Sequence, residues 1–372
     1  MEEWPRVRIA LVVTGGVDRS GRERVIPSLL WLIERLARQH ELFVYALRYH
    51  ERPCSYPLAG ATVRDLGRPA GVIRQYASLV AALKHDGPFD VVHGYWALPA
   101  GLVGAAAGRR LGIPSVVTCD SGEFTAIPDI DYGLQIRWRQ RRAVSAALKL
   151  ATRVTVCSTY MERLARAHGA NPIVIPLGVD TNAFRPREHA PDGPPWRLLK
   201  VASLNPVKDH RTLIDAFRLV VDHLGDVRLD LAGEDTMMGA VQDAVARRAL
   251  DGRVVFHGVV ANQDVASLYR DAHLFVMSSR HEAAQVVALE AAASCVPIVG
   301  TSVGYLADWT PHSARTVPTA DPRALADAIV GLLNDPAARQ RLASSAHEWA
   351  VAHDADWSAA EFTRLYASLE AI

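Results

Sequence analysis

Two glutamates and a lysine carry the clearest chemistry in this sequence. Glu282 and Glu290 stand in the run from Met277 to Gly304, with seven residues between them. A strand-like apolar segment ends near Met277, a polar loop follows, and a helical pattern then carries Glu290. A loop feeding a helix N-terminus presents backbone N–H groups that lack intrahelical acceptors, together with the positive end of the helix dipole. That combination is an anion site. A carboxylate ahead of it suits hydrogen bonds from sugar hydroxyls. A second one, about two turns into the helix, suits a vicinal pair of hydroxyls such as those of a ribose. The neighbours of Glu290 (Val286, Val287, Leu289, Ala291 and Ala292) are apolar, so this glutamate sits on a mostly buried helix and needs a partner. Lys208 precedes another helical pattern, where the dipole disfavours a cation. That position favours an anionic ligand over an ordinary surface role.

These residues need a scaffold that gathers strand ends. Residues 7–13, 42–47, 90–93, 115–118 and 153–157 read as short buried strands, and 23–39, 72–84, 99–111, 137–150 and a segment ending near 169 as helices. After a proline-rich stretch at 186–195 the alternation restarts. Strands are expected at 198–202, 227–232, 254–256, 274–277 and 297–299, with helices at 213–223, 238–250, 265–271 and 287–294. Three helical patterns, 322–333, 336–351 and 355–369, finish the chain. The predicted organisation is two parallel α/β domains, 1–186 and 187–354, and a terminal helix in 355–372. Ligands of such sheets bind beyond the carboxyl ends of the strands, and two such domains facing each other make the cleft between them the default site.

Composition excludes several classes. The chain has 372 residues, enough for two cores. Formal charge is +1, so nothing global points to nucleic acid. The four cysteines are widely spaced without a CxxC pair, which argues against structural zinc and a disulfide framework and for a reducing, cytoplasmic setting. Apolar runs stop well short of the ~20 residues that span a bilayer, and the one near the N-terminus is too short for a signal peptide. Thr14-Gly15-Gly16-Val17 does not fit the GxGxxG spacing of a dinucleotide fold.

The 277–304 run resembles the E-x7-E motif of the retaining glycosyltransferase family 4, whose members have the GT-B fold, two Rossmann-like domains with parallel sheets facing across a cleft. Other segments carry the same resemblance in the same order. Gly15-Gly16 is similar to the glycine turn that faces the donor phosphates. Ile175-Pro176-Leu177-Gly178-Val179-Asp180, with Phe184-Arg185-Pro186, resembles the signature before the linker. Val201 to Lys208 resembles the "GRLxxxK" loop, Leu231-Ala232-Gly233-Glu234 the "iaGdG" strand end, and Val255-Phe256-His257-Gly258 a further strand end.

The resemblance implies a metal-independent transferase without a cofactor, moving a sugar from a nucleotide-diphosphate sugar to a small-molecule, glycan or lipid-linked acceptor. The acceptor belongs to the first domain and the donor to the second. By resemblance Glu290 holds the ribose, Glu282 contacts the transferred sugar, and Lys208 neutralises the diphosphate. Backbone N–H groups of Ala283, Ala284, Gln285 and Val286 then touch the phosphates or sugar, and Gly15, Gly16, Ser203 and Gly233 complete the donor side. A fixed cation and a helix N-terminus stabilise the charge that builds on the leaving phosphate.

Three positions depart from the family pattern. Ser203 replaces the arginine of the "GRL" loop, and Arg280, Arg22 or Arg24 is expected to supply the charge. Ala283-Ala284-Gln285 replaces a glycine-rich segment, which narrows the allowed backbone angles. In Thr118-Cys119-Asp120-Ser121-Gly122-Glu123, Asp120 or Ser121 stands where many members carry a histidine, and Asp120 is the first candidate for a base.

His93 ends a strand in Asp90-Val91-Val92-His93-Gly94-Tyr95-Trp96. It reads either as a satisfied structural histidine or as part of an acceptor side with Tyr95 and Trp96. Asp120 and Glu123 divide between acceptor binding and loop structure. The basic run Arg137-Trp138-Arg139-Gln140-Arg141-Arg142 reads as a solvated helix face or as a peripheral contact with an anionic lipid surface. A non-catalytic relative that binds sugar nucleotide or glycan is the alternative from another class.

Overall fold

The computed structural model describes residues 5–186, 189, 191 and 193–369. Residues 187, 188, 190 and 192 of the expected linker, and 370–372 of the expected terminal helix, lie outside them. The chain divides into two units, Met1–Gly178 with Ala355–Ile372, and Val179–Asp354.

The first unit contains β1 (Arg8–Val13), α1 (Pro27–Gln39), β2 (Glu41–Ala46), β3 (Cys54–Leu58), β4 (Ala61–Asp65), α2 (Gly71–Asp86) and β5 (Val91–Tyr95). It continues with α3 (Leu102–Leu111), β6 (Ser115–Cys119), α4 (Trp138–Leu150), β7 (Arg153–Val156), α5 (Thr159–Ala167) and β8 (Ile173–Val174). The sheet order is β3-β4-β2-β1-β5-β6-β7-β8. Its pairs are parallel except the β3–β4 hairpin. Strands covered on both faces read as unbroken apolar runs, and Ile9 to Val13 are fully buried. β1 pairs with β2 on one side and β5 on the other. The connections reverse there, so the loops after β1 and β5 flank the crevice of this sheet.

The second unit contains β9 (Trp196–Val201), α6 (His210–Leu224), β10 (Val227–Ala232), α7 (Ala240–Arg247), β11 (Val254–Gly258), α8 (Asn262–Asp271) and β12 (Leu274–Met277). It continues with α9 (Val286–Ala293), β13 (Ile298–Thr301), α10 (Gly304–Trp309), β14 (Arg315–Val317), α11 (Pro322–Leu333) and α12 (Pro336–Ala352). The sheet is parallel, in the order β11-β10-β9-β12-β13-β14. Leu198, Leu213, Phe217, Leu229, Val276 and Ile329 centre its core. The chain steps outward from β9 to β11 and restarts at β12 on the other flank of β9. The loops after β9 and β12 therefore meet at the switch point, where this architecture places ligands.

The last helix, α13 (Ala355–Ala367), belongs to the first unit and packs against α1. His40 Nε2 lies 2.9 Å from Thr363 Oγ1, and the Ser358 hydroxyl donates to Pro176 O at 2.9 Å.

Candidate donor site and acceptor-side residues

In the second unit the loops after β9 and β12 bring Lys208 and Glu282 together. Asn205 and Asp209 shape the first loop. The Asn205 side chain accepts from Lys208 N at 3.2 Å, closing a short 3-10 turn at Pro206–Lys208. Asp209, at φ 46°, caps α6 by accepting from Thr212 N at 3.1 Å and the Thr212 hydroxyl at 2.7 Å. The turn leaves the Lys208 ammonium aimed at Glu282. Its Nζ donates to Oε1 at 2.7 Å and Oε2 at 2.9 Å. Ser279 holds the same carboxylate, donating to Oε1 at 2.7 Å. Glu282 is 8% exposed, so a carboxylate taken nearly out of water is compensated by one cation and one hydroxyl. The backbone N–H of Arg280 donates to Val207 O at 2.8 Å, placing this arginine beside the lysine turn.

Gln285 precedes α9. Its amide donates to Val303 O at 2.6 Å and accepts from Tyr305 N at 2.7 Å. The side chain thus ties the start of α9 to the loop after β13. The first N–H groups of α9 have no acceptor within the helix, so Gln285 fixes where they point. The Ala283-Ala284-Gln285 segment carries no positive φ, and neither alanine is strained by the loss of glycine.

Glu290 is buried within α9. Tyr269 of α8 donates to its Oε2 at 2.8 Å. Burial pushes the Glu290 carboxyl up to about 7, against which the tyrosine hydrogen bond acts, and burial likewise pushes the Tyr269 phenol up. The partner that a buried glutamate requires is thus a phenol rather than a cation, and sequence spacing gave no sign of it.

Gly233 follows β10 at φ 149°, where a Cβ would overlap the Ala202 carbonyl. Only glycine lets β9 and β10 end so close together. Ser203, on the loop between, is exposed. Sequence reading also missed Lys200. This lysine lies in β9, is 2% exposed, and donates to Lys208 O at 2.8 Å and Ser278 Oγ at 2.7 Å. A lysine inside an apolar strand pattern is the signal that marks it.

The first unit sorts its candidates differently. Gly15 and Gly16 follow β1, in a loop closed by Ile26 N donating to Gly16 O at 3.1 Å. Gly16 is at φ 80°, and a Cβ there would run into Ile26. Arg24 of the same loop stacks over Tyr49 at 4.9 Å, while Arg22 is exposed. Trp96 is half-buried at φ 69° and meets Tyr95 edge-on at 5.1 Å.

His93 is fully buried, with Nδ1 2.7 Å from the Tyr366 hydroxyl of α13 and Nε2 2.7 Å from Thr118 Oγ1. Both ring nitrogens are used inside the unit, and burial pulls the imidazole down to about 3.

Glu123 is 1% exposed and accepts from Ala97 N at 3.3 Å and Ser121 N at 2.7 Å, and burial raises its carboxyl. Asp120 is half-buried, 3.4 Å from the Tyr95 hydroxyl and in hydrogen-bond contact with the Cys157 thiol. Trp138 is 55% exposed, with Arg139 and Arg142 over its ring at 5.4 and 5.2 Å.

Among the described residues no helix is long and apolar enough to cross a membrane, and no group of three His, Cys, Asp or Glu side chains could hold a metal ion.

Two α/β units with largely parallel sheets that reverse at a switch point are the architecture of the GT-B glycosyltransferases. Sucrose-phosphate synthase from Thermosynechococcus elongatus superposes with a TM-score of 0.81 at 20% identity, covering 98% of this chain and 99% of that one. The Anabaena protein HepE in complex with UDP-glucose gives 0.76 at 18% identity, covering 97% and 100%.

Residues 25–178 match the glycosyl transferase 4-like domain, and residues 196–335 match glycosyl transferases group 1. The chain belongs to this family and is a glycosyltransferase. It is 28% identical over 357 residues to D-inositol 3-phosphate glycosyltransferase of Arthrobacter sp. (strain FB24), covering 87% of this chain and 84% of the relative. It is 28% identical over 283 residues to the MMP alpha-(1->4)-mannosyltransferase of Mycolicibacterium hassiacum, covering 71% and 67%.

Proposed function

We propose that the chain transfers a sugar, with retention and without a metal, from a nucleotide-diphosphate sugar to a hydroxyl of a small-molecule, glycan or lipid-linked acceptor. The observation that carries this reading is the Lys208–Glu282 pair at the switch point of the second sheet, directly before α9. A donor supplies a better partner to each member of the pair. Its diphosphate takes the Lys208 ammonium and the first N–H groups of α9, and its sugar hydroxyls take the Glu282 carboxylate. Charge growing on the leaving phosphate then meets a cation and dipoles already in position, which is where electrostatic catalysis is strongest. Glu290 receives the ribose hydroxyls as an ionised carboxylate, with Tyr269 fixing its rotamer.

Acceptor recognition is assigned to the first unit, around the loops after β1 and β5. Asp120 is its candidate base. The relatives supply the first substrates to try, sugar phosphates and phosphorylated polyols as acceptors and UDP-glucose as donor. The exposed Trp138, flanked by stacked arginines, supports a second assignment for the basic run on α4, contact with an anionic lipid surface.

The test is to assay transfer with EDTA present and assign the anomeric configuration of the product by NMR. Retained configuration and full activity with chelator agree with the proposal. Inversion, or activity restored only by Mg²⁺ or Mn²⁺, contradicts it.

A further inference from the structure

Lys200 is a charged side chain inside a central strand. Such a group is costly to bury unless its donors are satisfied. Its ammonium reaches Lys208 O and Ser278 Oγ. The Ser278 oxygen lies 2.9 Å from both Lys208 O and Asp209 O. Lysine and serine together therefore gather two consecutive carbonyls of the 205–209 turn. The same turn is tied by Arg280 N to Val207 O and by Lys208 to Glu282.

The charges around Lys200 are few. Burial is the first cause of its pKa falling to about 7, followed by the positive Lys208, with Glu282 and Asp209 acting the other way. His210, at the start of α6, is held neutral by burial and by both lysines. On the neighbouring strand β10, Leu231 pairs with Lys200, so alternation turns Asp230 to the opposite face.

We propose that Lys200 is a positioning residue for the donor diphosphate, holding the Lys208 turn and gaining a proton when the diphosphate binds there. The inference rests on the donor-site reading of Lys208. The electrostatics require the coupling. Where no donor is bound, Glu282 and Asp209 are the carboxylates that offset two nearby ammonium groups. A diphosphate adds negative charge over the same turn, which favours the charged form of Lys200. By linkage, protonation of Lys200 tightens diphosphate binding in equal measure. Ser203, short and exposed on the adjoining loop, brings no charge of its own, and a protonated Lys200 adds one to the turn that Arg280 also borders.

The experiment is calorimetric titration of the full chain with UDP, GDP and ADP in turn. It is run at about pH 7.5 and about pH 9, in two buffers of different ionisation enthalpy. The wild type is expected to take up a fraction of a proton on binding, and to bind about fivefold more weakly at the higher pH. Lys200→Met is expected to lose both the proton uptake and the pH dependence, and to weaken binding at the lower pH. Lys200→Arg is expected to restore affinity without the pH dependence. A lysine with only a structural role would lower the melting temperature and leave proton uptake unchanged.

Wild-type binding without proton uptake, or Lys200→Met keeping wild-type affinity and pH dependence while Lys208→Ala loses binding, overturns the proposal and spares the donor site. Lys208→Ala binding like wild type overturns the donor site, and the proposal with it.

Discussion

Lys208 and Glu282 meet through two contacts, with one ammonium 2.7 and 2.9 Å from the two oxygens of one carboxylate. They are far apart in sequence. They meet because β9 and β12 are neighbours in the sheet and the loops after both turn to the same side of it. The carboxylate is 8% exposed and also accepts from the Ser279 hydroxyl.

Removing either member therefore has a cost in stability as well as in activity. Lys208→Ala is expected to destabilise the protein by about 1–3 kcal/mol, the lower end reflecting a lysine that keeps some exposure. It is expected to lower kcat/KM by about a hundredfold or more. Combined with Glu282→Gln, the two losses in stability are expected to sum to less than their separate values. Urea melts and steady-state kinetics on the cycle check this. Strictly additive stability losses would mean that the pair is not coupled.

Glu290 trades stability for function. Burial raises its carboxyl from 4.5 to about 7 in the folded protein. A raised acid stabilises the fold below its unfolded pKa, and that contribution is lost as pH rises through about 7. At pH 8 the ionised carboxylate is thus carried at a cost of up to about 3 kcal/mol. Glu290→Gln is expected to melt higher than wild type at pH 8, with a smaller difference at pH 5, and to bind nucleotide more weakly at both. Equal melting shifts at the two pH values would place the ionisation elsewhere.

His93 gives the opposite prediction. His93→Ala breaks its contacts with Tyr366 and Thr118 and leaves a cavity, at an expected cost of about 2–4 kcal/mol. Acceptor KM, measured well below the melting temperature, is expected to stay unchanged. The imidazole is neutral in the fold, so its contribution is complete above pH 6.5 and is lost towards pH 3. A large rise in acceptor KM without loss of stability would return His93 to the acceptor side.

The exposed face of α4 is tested with vesicles. Binding to anionic phosphatidylglycerol vesicles, weakened by salt, is expected for the wild type. Trp138→Ala with Arg139→Ala and Arg142→Ala is expected to reduce it about tenfold. Equal binding by the triple variant would leave this helix as a solvated face.

Much of the α/β alternation was legible because strands buried on both faces are continuous apolar runs, as from Ile9 to Val13. The β3–β4 hairpin was not. Pro57 interrupts the edge strand, and its two-residue turn is Ala59-Gly60, both at positive φ, rather than the usual Asn-Gly. β14 is only three residues long and left no pattern. In the site, the spacing of Glu282 and Glu290 and the position of Lys208 could be read from residues alone. The contacts of Lys200 and Tyr269 could not, since both join segments distant in sequence. The sequence pattern places His93, Glu123 and Asp120 alike, at or after a strand end, whereas β5 runs on to Tyr95 and keeps His93 inside the sheet. Only burial and partners separate a core histidine and a loop-pinning glutamate from the half-buried aspartate.

The central claim is that the Lys208, Glu282 and Glu290 cluster is a nucleotide-sugar donor site, and thermal shift with UDP, GDP, ADP, TDP and CDP tests it most directly. A ligand at about a hundred times its Kd adds about 2.7 kcal/mol to the folded state, enough to move a melting temperature. The account predicts a shift with one nucleotide in the wild type that is lost in Glu290→Ala and in Lys208→Ala. No shift with any of the five, or a shift that both variants retain, would contradict it.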